Sequence, residues 1–360
     1  MTRAALEHFR IKSSFGDYSV IEVNDEDSLY SHLQGIKDPF FLVDSNVHKS
    51  SSLDKHLPRE RTFVVEASEA AKNLDTVDEI SAWLSSAHAD KQSTLVAIGG
   101  GIVQDLATFT AAVYFRGIKW IFVPTTLLAM SDSCIGAKCA LNVEQHKNQI
   151  GLIYAPSQVI LLRVFLSTLS DDLFVSGLGE ILKLSLTGPN QFFETFIEKA
   201  NRKESAFELA ILALKAKQAV IEIDELELDT RRILNYGHSF GHAIEAISKG
   251  KISHGQAVVF GIDIINYLGE EWGITPVSVR ERVRKVSEAV FPKINWPSDP
   301  SLPRKLVAEL RHDKKIHDGK LVFAILEEVG EISLVPKSLD ESLINLVESY
   351  FESESKRFLN

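Results

Sequence analysis

Short apolar runs alternate with segments of helical periodicity in the first third of the chain. The runs at residues 40–44, 62–65 and 94–98 are rich in Phe, Val, Leu and Ile, which is typical of buried strands in a parallel sheet. Residues 53–57 and 75–87 lie between these runs and have apolar positions at helical spacing. This alternation predicts a parallel sheet that is covered by helices on both faces.

From about residue 167 the pattern becomes mainly helical. Residues 207–225 and 256–290 have apolar positions at helical spacing, and strand signals are rare. Near the C-terminal end, residues 321–325 and 331–335 predict a hairpin. The second part of the chain is therefore predicted to be mainly α-helical.

The change of pattern predicts two domains, for which 360 residues are sufficient. We predict an α/β domain over residues 1–163 and a mainly helical domain over residues 164–360. The composition, with 45% hydrophobic and 24% charged residues, is that of an ordinary soluble globular protein.

Charge, hydropathy and cysteine content indicate the kind of partner and the compartment. The formal net charge of -10 argues against nucleic acid, so an anionic small substrate would need a local cluster of Lys and Arg. No apolar run has membrane-spanning length, and the N-terminus shows no signal-peptide pattern. Cys134 and Cys139 lack CxxC spacing and fit a reducing compartment. We therefore expect a cytoplasmic protein.

A triple glycine at residues 99–101 separates a predicted strand from a predicted helix over residues 103–115. Backbone N–H groups at such a helix N-terminus can approach a pyrophosphate, because no side chains stand in the way. Glycine turns also serve plain packing, so the motif alone leaves nucleotide binding and packing open.

The next predicted strand, residues 120–123, is followed by two hydroxyl side chains, Thr125 and Thr126. This is the edge at which open α/β sheets bind ligands. Lys138 and Lys147 follow in a polar stretch. Lysines usually form solvated salt bridges. The position of these two lysines beside the ligand edge favours contact with a phosphate or a cofactor instead.

Three histidines form the most distinctive pattern of the second domain. His238 and His242 are four residues apart, so a helix presents them on one face, and the short connection before His254 lets it fold back onto them. Arg231 and Asn235 stand just upstream. The group predicts a divalent metal site that also binds an anion, with a metal-free histidine pair as the alternative. The HExxH metalloprotease pattern is excluded, because no Glu lies between the first two histidines.

Glu180 and Lys183 are three residues apart in a predicted helix. Taken alone, such a spacing predicts a surface ion pair of little energetic value.

The motifs are more informative together than singly. In order, the chain contains GGGIVQD, AAVYFRG, PTTLLAMSDSCIGAK, HKNQIG, GEILK, LNYGHSFGHAIE and HGQAVVFG. This set resembles the 3-dehydroquinate synthases, within the wider family of sugar phosphate cyclases, from about Asp44 to Lys315. The resemblance implies a Rossmann-like NAD-binding α/β domain, a mainly α-helical metal-binding domain, and an active site between them.

The resemblance also implies the cofactor positions. Glu180, His238 and His254 would bind the metal, with zinc the usual occupant and cobalt an alternative. His242 would then contact phosphate, which revises the pairing of His238 with His242 as joint ligands. The NAD-binding positions would be Asp44, Glu69, Lys72, Gly100, Gly101, Asp105, Thr125, Thr126, Asp132, Lys147 and Thr168.

The reaction implied is cyclisation of 3-deoxy-D-arabino-heptulosonate 7-phosphate to 3-dehydroquinate, a shikimate-pathway step with phosphate elimination and transient oxidation by NAD. Lys138, Asn148, His242 and Lys314 would hold the phosphate, with Arg116 from a neighbouring subunit of a homodimer. Lys217, Arg231 and Asn235 would hold the carboxylate and nearby hydroxyls, and Asp132 and Lys183 would orient the carbinol.

Two observations bear on which cyclase is implied. Relatives with substrates that lack a carboxylate commonly replace residues equivalent to Lys217, Asn235 or His242, and all three are present here. Departures from the usual family residues occur at Gln104, Leu162, Val164 and Gln256. The alternatives are a cyclase of sedoheptulose 7-phosphate or another sugar phosphate in secondary metabolism, and a metal-dependent alcohol dehydrogenase of the glycerol-dehydrogenase type.

Overall fold

A computed structural model describes residues 6–144, 146–296, 299–311, 316–317 and 319–359. The chain divides into two compact units, the first ending at Ser170 and the second beginning at Asp171. The first unit is α/β and the second is mainly helical, so the predicted fold class is confirmed.

The first unit is built around a seven-stranded sheet. Its strands and helices are β1 (Leu6–Ile11), β2 (Tyr18–Val23), α1 (Glu26–Gln34), β3 (Pro39–Asp44), α2 (Ser45–Ser50), β4 (Thr62–Val65), α3 (Leu74–Ser86), β5 (Thr94–Gly99), α4 (Gly101–Val113), β6 (Lys119–Pro124), β7 (Lys138–Val143), β8 (His146–Ile153) and β9 (Gln158–Leu162). The sheet order is β1-β2-β9-β6-β5-β3-β4, and every pair is parallel except β1 with β2. β7 and β8 form a separate antiparallel hairpin.

Two predictions for this unit need correction. The run at residues 62–65 forms β4, but β4 is an edge strand in which only Val65 is buried, because nothing pairs with its outer side among the described strands. Residues 53–57 form no α-helix and contribute only to a short 3-10 segment, Ser52–Lys55. The central β5 is buried at every position, as its unbroken apolar run predicts.

The strand order creates a topological switch point. The chain leaves β3 for β4 on one side, then returns to the other side of β3 with β5 and continues to β6. The connections that follow β3 and β5 therefore diverge, which makes this the topological switch point where open α/β sheets bind ligands. Asp44 ends β3 and Gly99 ends β5.

The second unit packs helices against one another and against a small sheet. Its elements are α5 (Asp171–Thr187), α6 (Asn190–Lys199), α7 (Ala206–Ile221), α8 (His238–Ser248), α9 (His254–Glu271), α10 (Val277–Val290), α11 (Leu302–Leu310), β10 (Ile316–His317), β11 (Lys320–Glu328), β12 (Glu331–Ser338) and α12 (Glu341–Ser353). β11 and β12 form the predicted hairpin. Within the described part of the chain, no helix combines the length and apolar character needed to cross a membrane.

Candidate functional site

Three side chains from different helices of the second unit converge on one point. Glu180 lies in α5, His238 begins α8 and His254 begins α9. The Glu180 Oε1 atom lies 2.9 Å from His254 Nε2 and 3.4 Å from His238 Nε2. Ligands of a tetrahedral zinc ion lie about 3.4 Å from one another, so this spacing fits one cation.

Glycines allow the helices to approach so closely. A Cβ on Gly179 would overlap the backbone of Gly255, and a Cβ on Gly255 would overlap the carbonyl of Ser176. Gly237 has a φ of +76°, and a Cβ there would lie 2.6 Å from the Ile262 side chain. Each of the three glycines is the chain neighbour of one converging side chain, so the close backbone contacts help to bring these three side chains together.

The converging group is surrounded by charge. Lys183 Nζ lies 2.6 Å from Glu180 Oε2, and both side chains are buried, so the expectation of a surface ion pair is wrong. His254 Nδ1 lies 2.8 Å from Glu245 Oε2. Burial lowers the pKa of His254, but hydrogen bonds and charges from Glu180 and Glu245 outweigh this effect. The net result is a pKa raised to about 10. The carboxylates thus create a pocket that favours positive charge.

The donor set fits a divalent transition metal. Glu180 is 1% exposed, and a buried carboxylate is costly unless cations surround it. Lys183 supplies one positive charge, and one carboxylate with two imidazoles is a common zinc set that leaves a position open for substrate. The metal role of the three residues stays a prediction.

His242 has a different place from His238 and His254. Its side chain is exposed, and its ring centroid lies 5.3 Å from that of His238 and 6.0 Å from that of His254. His242, Glu245 and His254 form a second group with metal-ligand spacing. His254 belongs to both groups, which makes it the central residue of the cluster.

Two of the three predicted carboxylate-binding residues contact an acidic loop. Lys217 is buried in α7. The guanidinium of the buried Arg231 donates to the Glu225 carbonyl, and Asn235 Nδ2 donates to Glu227 Oε1 at 2.6 Å. Lys314 lies outside the described residues, so its predicted phosphate contact has no structural account.

In the first unit, predicted cofactor positions follow three neighbouring strands. Asp44 caps α2 by accepting from the Asn46 N–H at 2.8 Å, and burial raises its pKa. Gly100 precedes α4, and a Cβ there would lie 3.0 Å from Thr126 Cγ2. Thr125 is buried beside it. A glycine cradle at a helix N-terminus fits a dinucleotide pyrophosphate.

Other predicted cofactor residues belong to one polar network. Lys72 Nζ lies 2.7 Å from Asp105 Oδ2 and donates to Asn148 Oδ1 at 2.7 Å. Asn142 donates to Glu69 Oε1 at 2.8 Å and accepts from the backbone of Asn148. Burial raises the pKa of Asp105, which the Lys72 ammonium opposes. The β7–β8 hairpin is thereby joined to the segment that carries Glu69 and Lys72.

The remaining predicted residues of this unit have separate environments. Asp132 lies in a π-helical turn, Ala129–Ser133. Lys138 and Lys147 are exposed on β7 and β8, the two strands of the antiparallel hairpin. Thr168 is exposed and donates to the Phe165 carbonyl.

Arg116 lies on an exposed turn. The predicted helix to residue 115 ends earlier, at Val113, because Phe115 and Arg116 have φ values of +48° and +59°. Lys91 Nζ donates to the Phe115 carbonyl at 2.8 Å and to the Arg116 carbonyl at 3.2 Å. The Lys91 ammonium thus stabilises this left-handed turn.

Gln104, a departure from the family motif, fits its surroundings. It is buried, its amide nitrogen donates to the Ser133 carbonyl at 2.7 Å, and its amide oxygen accepts from the Ser133 hydroxyl at 2.6 Å. The side chain therefore joins α4 to the turn that carries Asp132.

Sequence reasoning missed two acidic residues beside the second-unit site, Glu227 and Glu245. Glu245 follows His238 by seven residues, two helical turns, which is a signal that could have placed it on the histidine face. Glu227 lies in a stretch of alternating acidic and apolar residues, a pattern that favours a strand, but the structure has turns there, so its contact with Asn235 depends on the tertiary fold.

Comparison with known proteins adds independent findings. Family models described as 3-dehydroquinate synthase N-terminal and C-terminal match residues 62–176 and 177–316. The chain is 36% identical over 303 residues to a 3-dehydroquinate synthase of Dictyoglomus turgidum, covering 82% of this chain and 84% of the relative. It is 32% identical over 348 residues to one of Clostridium tetani, covering 92% of each.

Solved structures share the fold. A 2-deoxy-scyllo-inosose synthase complexed with carbaglucose-6-phosphate, NAD+ and Co2+ gives a TM-score of 0.84 at 24% identity, covering 96% of this chain and all (100%) of that one. A 2-epi-5-epi-valiolone synthase from Streptomyces hygroscopicus with NAD+ and Zn2+ gives 0.82 at 23% identity, covering 96% and 99%. A probable glycerol dehydrogenase from Sinorhizobium meliloti gives only 0.61 at 14%, covering 95% and 99%.

Proposed function

The chain belongs to the 3-dehydroquinate synthase family, and from this premise we propose that it cyclises 3-deoxy-D-arabino-heptulosonate 7-phosphate to 3-dehydroquinate with release of phosphate. The observation that carries the proposal is the convergence of Glu180, His238 and His254 inside the region matched by the C-terminal family model. One carboxylate and two imidazoles leave open positions for the vicinal oxygens of a sugar acid.

We assign NAD to the switch-point edge of the first unit and a divalent metal, zinc or cobalt, to the converging group of the second. The descriptions of the solved cyclases, which name NAD+ with Co2+ or Zn2+, support this pair of cofactors. When bound, the metal would polarise the reacting oxygen, and NAD would take up and return a hydride within one turnover.

The protein's own groups bind and orient the substrate. Lys217, Arg231 and Asn235 hold the carboxylate and neighbouring hydroxyls. Asp132 and Lys183 orient the carbinol, and the Lys183 ammonium also pairs with the Glu180 carboxylate, 2.6 Å away.

The phosphate is held so that it can act as the base in its own elimination, which makes positioning the main contribution of the protein. We assign this role to Lys138, Asn148, His242 and Lys314, with Arg116 from a second copy of the chain. The exposed turn that carries Arg116 is consistent with a contribution to a homodimer site.

A substrate with a carboxylate is favoured by the buried Lys217. A buried ammonium group can make a strong, charge-assisted hydrogen bond to a substrate carboxylate. The presence of Asn235 and His242 supports the same choice.

The test measures phosphate release by the purified, metal-loaded protein, with and without NAD. The acid phosphate should release phosphate only with NAD, while NADH absorbance stays constant. Sedoheptulose 7-phosphate, tested under the same conditions, should release little phosphate. Preference for sedoheptulose 7-phosphate would replace the proposed substrate with a neutral sugar phosphate, and stoichiometric NADH accumulation on a simple alcohol would replace the cyclase with a dehydrogenase.

A further inference from the structure

Both ring nitrogens of His254 face carboxylates. Its Nε2 lies 2.9 Å from Glu180 Oε1 and its Nδ1 lies 2.8 Å from Glu245 Oε2. Glu245 is largely buried, with 16% of its side chain exposed, and lies nine positions before His254 in the sequence. The contact therefore spans the connection between α8 and α9.

A neutral imidazole has one N–H and one lone pair, and only the lone pair can bind a metal. A carboxylate that accepts the N–H fixes the tautomer and the ring plane, and makes the other nitrogen a better ligand. Glu245 has the position needed for this, because it accepts at Nδ1 and leaves Nε2 directed towards Glu180 and His238.

We propose that Glu245 is the positioning residue for His254, which sets the tautomer and orientation of this metal ligand without binding the metal itself. The inference rests on the proposed metal role of Glu180, His238 and His254. His238 and Glu245 are seven residues apart on α8, so one rigid helix carries a ligand and the group that orients a second ligand on α9.

The rival arrangement is a second metal held by His242, Glu245 and His254, whose ligand atoms also lie within 4.8 Å of one another. His254 would then have to give lone pairs to two cations at once, which requires the loss of both ring protons. His242 is exposed, so water would compete with its imidazole for a position on the metal. A single metal with Glu245 as hydrogen-bond acceptor avoids both costs.

The test is a Zn²⁺ titration of the full-length protein against a chromogenic chelator, with metal stoichiometry measured by elemental analysis. Glu245→Ala should weaken Zn²⁺ binding about 10- to 100-fold. Glu245→Gln should restore part of the loss, because an amide oxygen still accepts the Nδ1 proton but carries no charge. Glu271→Gln, an exposed residue on α9, is the matched control and should bind Zn²⁺ like the unmodified protein.

A spectroscopic readout separates orientation from general destabilisation. With saturating Co²⁺, Glu245→Ala should change the visible absorption bands of the bound ion, whereas Glu271→Gln should overlay the unmodified protein. Unchanged affinity and unchanged bands in Glu245→Ala would overturn the proposal. Two Zn²⁺ per chain, with one lost in both Glu245→Ala and His242→Ala, would replace it with the second metal site.

His238→Ala tests the premise separately. If that variant loses Zn²⁺ binding while Glu245→Ala does not, only the role of Glu245 fails. If His238→Ala binds Zn²⁺ as tightly as the unmodified protein, the proposed metal site fails, and the inference fails with it.

Discussion

Lys215 and Lys217 lie on one helix, yet the first is exposed and the second is buried. Their identical chemistry means that only the packing around α7 distinguishes a solvated lysine from one held inside the unit. A buried ammonium is the feature expected of a group that meets an anionic substrate.

We predict that Lys217→Met lowers kcat/KM for the heptulosonate phosphate about 10- to 150-fold, which corresponds to one charge-assisted hydrogen bond. Lys215→Met, at the exposed position two residues away, should keep full activity. Steady-state phosphate release measures both. Equal losses in the two variants would show that charge in general, rather than a contact at residue 217, supports the reaction.

Gln104 is a residue whose effect could not be read from the sequence. The family motif has glycine at this position, so glutamine is a departure from the motif. The hydrogen bonds of its side-chain amide to Ser133 join residues that are distant in the sequence. Local pattern cannot supply such partners. The burial of Glu180 and Lys183 could not be predicted from local pattern either, because charged side chains are usually expected on the surface.

Gln104→Ala should lower the free energy of unfolding by about 1–3 kcal/mol, because the carbonyl and hydroxyl of the half-buried Ser133 lose their partner. It should also raise the Kd for NAD, measured by isothermal titration, since Asp132, a proposed NAD contact, lies in the same turn as Ser133. Gln92→Ala at an exposed position is the control. No change in either quantity would contradict a role for the Gln104–Ser133 link.

At the scale of elements, strong apolar periodicity predicted most strands and helices, including β3, β5, β6 and the C-terminal hairpin. The β7–β8 hairpin was not predicted, because the first four positions of β8 are exposed and polar and lack an apolar alternation. β9 was also missed, although it is buried, since its place in the sheet depends on pairing with the distant β2.

The converging site depends on how closely α5 and α9 approach. The sequence showed glycines beside each candidate ligand, but it could not show that Gly179 and Gly255 face each other. Their contact is a property of two helices, and it brings the Glu180 carboxylate within reach of His254.

Gly255→Ala should destabilise the protein by about 1–3 kcal/mol, the usual effect of overpacking, and should lower its bound zinc. Denaturant unfolding and metal analysis measure the two effects. Gly101→Ala, where an added Cβ meets no atom within 4 Å, should keep its stability and zinc content. Wild-type zinc content in Gly255→Ala would show that helix spacing does not set the ligand geometry.

In the whole molecule, each unit has its own core. A buried ion pair also links three helices within the second unit. Arg284 Nε and Nη2 lie 2.8 and 3.0 Å from the Asp263 carboxylate, which also accepts from the Tyr350 hydroxyl at 2.6 Å. The pair connects α9, α10 and α12. The sequence predicted helices over the segments of α9 and α10, but not which charged positions meet inside.

Arg284→Met should lower the free energy of unfolding by about 3–5 kcal/mol, because it leaves the Asp263 carboxylate buried without its cation. The double variant with Asp263→Asn should recover much of this loss, because the buried side chain at position 263 is then neutral. Arg282→Met, at an exposed pair on the same helix, should change stability by less than about 1 kcal/mol. Urea unfolding curves measure all three, and equal losses for Arg282 and Arg284 variants would contradict the account.

The central claim is that Glu180, His238 and His254 bind a single divalent metal. Anomalous diffraction from zinc-loaded crystals, collected at the zinc absorption edge, tests it most directly. One strong peak should appear, about 2.0–2.2 Å from a Glu180 oxygen and from the Nε2 atoms of His238 and His254. A map with no peak among these three side chains, or with its peak bound by His242 and Glu245 instead, would contradict it.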